Sequence, residues 1–176
     1  MSPRIQEFRQ QFTVPFTYPV IFTRGVFDPA NTVLRDEIAR PEAARRHRVA
    51  VFIDSGVAEA WPGLPARIEG YAAAHPGSLA LVHPPRIVPG GESIKADLAG
   101  IRDIMHEISR WGLCRHSYVV AVGGGAVLDA VGFCASLVHR GLRMVRVPTT
   151  VLAQNDAGVG VKTGIDTDGG KNTAGT

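Results

Sequence analysis

Apolar runs separated by helix-periodic stretches organise this chain. Arg48–Asp54 (RVAVFID) is a continuous apolar run ending in an acid, the pattern of a strand buried on both faces of a parallel sheet. Ser78–His83 (SLALVH), Tyr118–Val122 (YVVAV) and Arg143–Val147 (RMVRV) repeat it. Between them, Ser93–Trp111 carries Ile94, Leu98, Ile101, Ile104, Met105 and Ile108 at helical spacing and predicts one amphipathic helix. Ala58–Ala74 reads as a helix despite Pro62 and Pro65, and another runs from Gly123–Gly124–Gly125 to about His139. Upstream, Asp28 and Pro29 suit the cap and first turn of a helix reaching about Arg40. Phe12–Thr23 is aromatic and β-branched but interrupted by prolines, which predicts an edge strand or a bent hairpin.

The alternation predicts an α/β fold: a Rossmann-like parallel sheet with flanking helices and right-handed crossovers. Ligands of such sheets sit beyond the carboxyl ends of the strands. Asp54, the Gly123 triplet and Thr149–Thr150 all fall there. After Leu152 large apolar side chains become scarce and glycine frequent. The expected division is a nucleotide-binding domain over 1–152 and a substrate- and phosphate-binding loop segment over 153–176. That segment is expected to lack a helix or strand and to lead into a helical domain beyond this chain.

Composition narrows the function. The chain has 176 residues, 45% apolar and 20% charged, enough for one core and too apolar for a disordered chain. A formal charge of +3 is slight, and Arg45–Arg46–His47–Arg48 has no interleaved aromatic residue. It reads as a solvated strand entrance, and no nucleic-acid partner is expected. No apolar run approaches the ~20 residues of a membrane span, and Met1–Gln11 lacks the apolar core of a secretory leader. Cys114 and Cys134 sit among apolar residues and read as small core hydrophobes of a reducing, cytoplasmic compartment.

Three motifs carry chemistry. In YVVAVGGGAVLDAVG (118–132) a buried strand turns through glycines into a helix, so unpaired N–H groups and the positive helix end suit a pyrophosphate. Asp129, the one acid of that helix, either meets the dipole from the first turn or hydrogen-bonds the ribose or nicotinamide end of a nucleotide. In GGESIK (90–95), Glu92 and Lys95 suit ribose hydroxyls and phosphate, or are solvated residues of a capped helix start. In VPTTVLAQNDAGVGVKTGIDTDGGKN (147–172), Asp156, Lys162, Lys171 and Asn172 stand among glycines. That setting suits a phosphate monoester or a flexible polar loop. Arg140, closing the preceding helix, is a dipole partner or a further phosphate ligand.

The stretch GGGAVLDAVGFCASLVHRG, with VPTTVLAQNDAGVGVKTG and GGKN, resembles the sugar phosphate cyclases, the 3-dehydroquinate synthase superfamily, over roughly residues 15–176. The resemblance implies NAD+ bound by Asp54, Glu92, Lys95, Gly124, Gly125, Asp129, Thr149, Thr150, Lys162 and Lys171. It places Asp156, Lys162, Lys171 and Asn172 at the substrate, and gives Arg140 a reach to the substrate phosphate across a homodimer interface. It implies a divalent zinc or cobalt ion held by a Glu and two His beyond Thr176, so no metal ligand within these residues. The implied reaction is hydride removal from a sugar phosphate, phosphate elimination, hydride return and aldol ring closure. Gly160–Val161–Lys162 and Asn155 depart from the dehydroquinate synthase pattern. They resemble secondary-metabolism cyclases of the eboD and valiolone types, with a seven-carbon sugar 7-phosphate such as sedoheptulose 7-phosphate as substrate. The alternatives are an iron-type polyol or glycerol dehydrogenase and a non-catalytic nucleotide-binding module.

Overall fold

The apolar run at residues 48–54 becomes the centre of a parallel sheet. The structure, a computed structural model, describes residues 6–167 and 169–176. Residues 1–5, part of the segment read as lacking a leader, and residue 168 in the substrate segment lie outside the described residues. Strand β1 (His47–Asp54) pairs on one side with β4 (Tyr118–Gly123), in register Val49 to Tyr118. β4 in turn pairs with β5 (Arg143–Pro148), from Tyr118 opposite Arg143 to Gly123 opposite Pro148. On its other side β1 meets two short segments in succession: β2 (Leu79–Leu81) beside its start and β3 (Arg86–Val88) beside its end. Pro84 and Pro85 separate the two, so one edge strand is broken into halves.

Side-chain alternation divides the apolar residues between two cores. Ala50, Phe52, Val119 and Ala121 face α5 (Leu98–Arg110) and α6 (Gly125–Leu137). Val49, Val51, Ile53 and Val120 face α1 (Val33–Ala39) and α3 (Leu64–Ala74). With both faces covered, the central strands have no solvent side, which is why they read as unbroken apolar runs.

Several boundaries move for local reasons. The helix expected from Asp28 starts at Val33, with Thr32 as cap residue; Asp28 instead accepts from the Ala30 amide at 3.0 Å and pairs with Arg67. The expected helix 58–74 is two, α2 (Ser55–Ala60) and α3, parted at Trp61–Pro62–Gly63. The amphipathic helix 93–111 is also two, α4 (Ser93–Ala96) and α5, because Asp97 turns out of helical geometry and accepts from the Gly100 amide at 3.0 Å. Leu98, placed on the apolar stripe by its spacing, is exposed. Residues 12–23 form neither strand nor hairpin: they are irregular and exposed, and Pro15 and Pro19 cannot donate to a ladder.

The segment after Leu152 is not structureless. It forms the end of α7 (Val151–Asn155) and an antiparallel hairpin of β6 (Gly164–Thr167) and β7 (Gly170–Gly175). Ile165 is buried in the α6 core and Ala174 packs against it. Cys134 is a core residue, its thiol pushed up to about 12 by burial, but Cys114 is exposed, contrary to its apolar neighbourhood in sequence.

At the amino edge of the sheet, Glu42 gathers three basic side chains. It accepts from Arg143 at 2.7 Å and from His116 at 3.0 Å, and pairs with Arg45 at 3.1 Å. His47, read as part of a solvated entrance, is buried. The Arg143 hydrogen bond, then that of His116, holds the Glu42 carboxyl down to about 2 from an ordinary 4.5. A carboxylate depressed in the folded state stabilises fully above its unfolded pKa and loses that contribution as pH falls toward 2. Glu42→Gln is therefore expected to be less stable than wild type at neutral pH. The two denaturant midpoints should converge as pH falls from about 4.5 to about 2; a gap that stays constant down to pH 2 contradicts the role.

Candidate functional site

The carboxyl edge of the sheet is built by three strand ends. Asp54 ends β1 and caps α2, accepting from the Gly56 amide at 2.8 Å. Two backbone segments close on it. A Cβ at Gly123 would stand 2.9 Å from the Asp54 Cβ, and one at Gly90 would collide with the carboxylate itself. These glycines allow three chain segments to meet around one buried acid. Gly91 (φ +78) then turns left-handed, a conformation that favours glycine, to begin α4.

Strand β4 runs through Gly123 into α6, whose cap residue Gly124 is extended and whose first turn no side chain caps. The amides there are left for an external acceptor. Next to them Thr149 donates its amide to the Gly123 carbonyl at 3.0 Å, and the Thr150 hydroxyl caps α7 by accepting from Ala153 at 3.2 Å. Both threonines are exposed, lining the mouth above the glycines.

Asp129 lies in the second turn of α6, not the first, so the dipole does not account for it. Its partner is Lys95, which the solvated reading of GGESIK misplaced: this lysine is 4% exposed, whereas Glu92 is open to solvent. The Lys95 ammonium donates to Asn172 Oδ1 and lies 3.6 Å from Asp129 and 4.0 Å from Asp166. Asp166 in turn accepts from the Asn172 amide at 2.7 Å, across a left-handed Asn172 (φ 54). Burial raises the Asp129 carboxyl above its ordinary range, opposed by the charges of Lys95 and Arg146. The third motif therefore folds back onto the second: the hairpin delivers Asn172 to a lysine 77 residues earlier.

The segment between α7 and the hairpin carries Asp156 and Lys162, both exposed. Three of its carbonyls, those of Ala157, Gly160 and Lys162, accept from the Arg146 guanidinium. Lys171 is exposed on the hairpin. Arg146 and Asp166 were missed by sequence reasoning; the one available signal was a lone cation inside the apolar run MVRVP. Arg140 does not join the group. It lies past the far end of α6, a 13-residue helix ~20 Å long, at the amino edge beside Arg115, with left-handed backbone (φ 66). Among the described residues, no three His, Cys, Asp or Glu side chains are grouped to hold a metal ion. No helix there is long and apolar enough to cross a membrane.

The family model for 3-dehydroquinate synthase N-terminal regions matches residues 86–176, which hold all of this edge except the end of β1. The chain belongs to the 3-dehydroquinate synthase N-terminal family. A 3-dehydroquinate synthase of Rhodopseudomonas palustris (strain BisB18) is 37% identical over 90% of this chain and 38% of its own length. A 2-epi-5-epi-valiolone synthase of Streptomyces glaucescens is 39% identical over the same shares. Among solved structures, a 2-epi-5-epi-valiolone synthase of Streptomyces hygroscopicus subsp. jinggangensis, with NAD+ and Zn2+ bound, superposes at a TM-score of 0.75. It is 29% identical, over 96% of this chain and 42% of its own. A 2-deoxy-scyllo-inosose synthase complexed with carbaglucose-6-phosphate, NAD+ and Co2+ gives a TM-score of 0.63 at 26% identity, over 82% of this chain and 37% of its own. The chain thus spans about two fifths of these relatives' length, and it shares their α/β fold.

Proposed function

We propose that these 176 residues are the NAD+-binding portion of a sugar phosphate cyclase, with residues 1–152 holding the nucleotide and 153–176 facing the substrate. The observation that carries this is the uncapped start of α6 opening beside the Lys95–Asn172–Asp129 cluster, in a chain similar to two synthases solved with NAD+ bound. A pyrophosphate fits the residues present: Gly124 and Gly125 leave the amides bare, and Thr149 and Thr150 stand over them. Asp54 and Glu92 are near enough to the strand ends to accept from ribose hydroxyls.

NAD+, when bound, supplies reversible hydride acceptance, so oxidation and reduction of the sugar cancel over one turnover. The chain's part is to orient and polarise. Lys162 and Lys171 present exposed ammonium groups to a phosphate and to the oxygen being oxidised, and Asp156 orients a ring hydroxyl. Asn172, held by Lys95 and Asp166, offers a fixed amide. Among the described residues no side chains group to hold a metal ion, and its ligands would come from outside this chain. Gly160–Val161–Lys162 and the valiolone synthase relatives favour a seven-carbon sugar phosphate. Arg140, exposed and a helix length from the glycines, fits a phosphate only in another subunit's site, which favours a homodimer; a cytoplasmic setting accords with such a metabolic role.

Two measurements test this reading. Gly124 has φ −75, and an added Cβ would lie 3.6 Å from Thr150, so Gly124→Val is accommodated by the fold while obstructing the cradle. It is expected to weaken NAD+ binding, followed by calorimetry, at least about tenfold, or 1.4 kcal/mol; an unchanged affinity removes the assignment. In the full-length enzyme, Lys162→Ala should depress phosphate release while NAD+ still binds, and full activity would remove its role.

A further inference from the structure

We infer that Arg146 is the positioning residue of the substrate loop, holding residues 157–162 through their carbonyls so that Asp156 and Lys162 face the site; this rests on the function proposed above. Arg146 sits on the β5 face that carries Leu142 and Met144 against the α6 core. From there its guanidinium reaches out of the sheet to the carbonyls of Ala157 (2.7 Å), Gly160 and Lys162 (3.2 Å).

The geometry is that of a single planar fork spread across one loop. The loop's amides are largely satisfied internally: Gly158 donates to Ala153, and Val159 and Gly160 donate to Asp156. Its carbonyls point the other way, toward the sheet, and Arg146 collects three of them. A loop with two glycines in six residues has little intrinsic preference for one shape. The cation supplies that preference from a β-strand, a rigid base. Burial disfavours the charged guanidinium and lowers its pKa, and the nearby Asp129 carboxylate offsets this only in part. The same carboxylate pairs with Lys95, so Arg146 joins the loop bearing Lys162 to the cluster bearing Asn172. Tyr18 adds one clamp from the other side, donating to the Val159 carbonyl at 2.6 Å.

The side-chain hydrogen bonds of Arg146 go to the loop carbonyls and, among the described residues, not to the glycine cradle or the Thr149–Thr150 mouth, so its removal should separate loop order from nucleotide binding. In the full-length enzyme, Arg146→Met is expected to lower kcat/KM for the sugar phosphate roughly 100-fold, the scale of an ångström-level misplacement. NAD+ affinity should stay within about twofold of wild type, and Arg146→Lys should recover part of the loss by keeping charge and some carbonyl contacts. Hydrogen exchange of amides 157–163 should accelerate in Arg146→Met and not in strand β4. Unchanged loop exchange overturns the inference. So does a parallel loss of NAD+ binding, thermal stability and turnover that Arg146→Lys does not relieve, since that pattern belongs to a merely structural residue. If wild type turns over no sugar phosphate, the proposed function fails, while the exchange measurement still decides whether Arg146 holds the loop.

Discussion

Lys95→Met is expected to lower the unfolding free energy by about 3 kcal/mol at neutral pH, the order found when one partner of a buried ion pair is removed. Lys95 is the hub between α4, α6 and the β6–β7 hairpin, facing Asp129, Asp166 and the Asn172 amide oxygen. Methionine fills a similar volume, so the cost is electrostatic: two carboxylates, 24% and 15% exposed, lose their cation. The pH dependence identifies the cause. Burial already raises the Asp129 carboxyl, and without Lys95 it rises further. An acid whose pKa is higher folded than unfolded costs stability when ionised and nothing once protonated in both states. The deficit should therefore shrink as pH falls toward the unfolded carboxyl value. A deficit that is the same at pH 7 and at pH 4 would mean lost packing instead. Nucleotide affinity should also fall, because the Asn172 side chain loses its donor.

Gly132→Leu is expected to cost about 1 kcal/mol net and to loosen the hairpin. Gly132 lies inside α6, where leucine is the better helix former by almost 1 kcal/mol. Against that, a Cβ here would stand 2.6 Å from the Thr163 Cγ2 and 3.2 Å from the Met144 sulfur. Thr163 cannot swing away freely. Its hydroxyl bonds that of Thr176 at 2.8 Å, and its amide and carbonyl pair with Thr176 at 3.0 Å. Overpacking of this kind costs about 1–3 kcal/mol, and it outweighs propensity because the neighbour is pinned. Chemical denaturation measures the net loss; a variant as stable as wild type would show that the hairpin is not seated on α6.

The sheet was legible because its central strands are buried on both faces and leave unbroken apolar runs. The cradle was legible because a strand running into glycines and a helix is a local pattern. What escaped depends on contacts distant in sequence or on single-residue breaks. The helical rhythm of 93–111 passes through Asp97, yet one residue leaving helical geometry divides it and turns Leu98 outward. β3 has three residues, too few for any period to show. Lys95 looks solvated until a hairpin 77 residues later covers it. A helix beginning at Ala126 would hold Asp129 in its first turn, but α6 begins at Gly125, so Asp129 is its fifth residue and opens the second turn. The cation at residue 146 was visible inside an apolar strand, but the carbonyls it gathers belong to a loop without a sequence signal of its own.

Crystallising the chain with NAD+ tests the central claim most directly. The pyrophosphate is expected against the amides of Gly124, Gly125 and Ala126, with the nicotinamide directed toward Asp129 and Asn172. A nucleotide bound at the amino edge beside Arg115 and Arg140, or no nucleotide at saturating concentration, would contradict it.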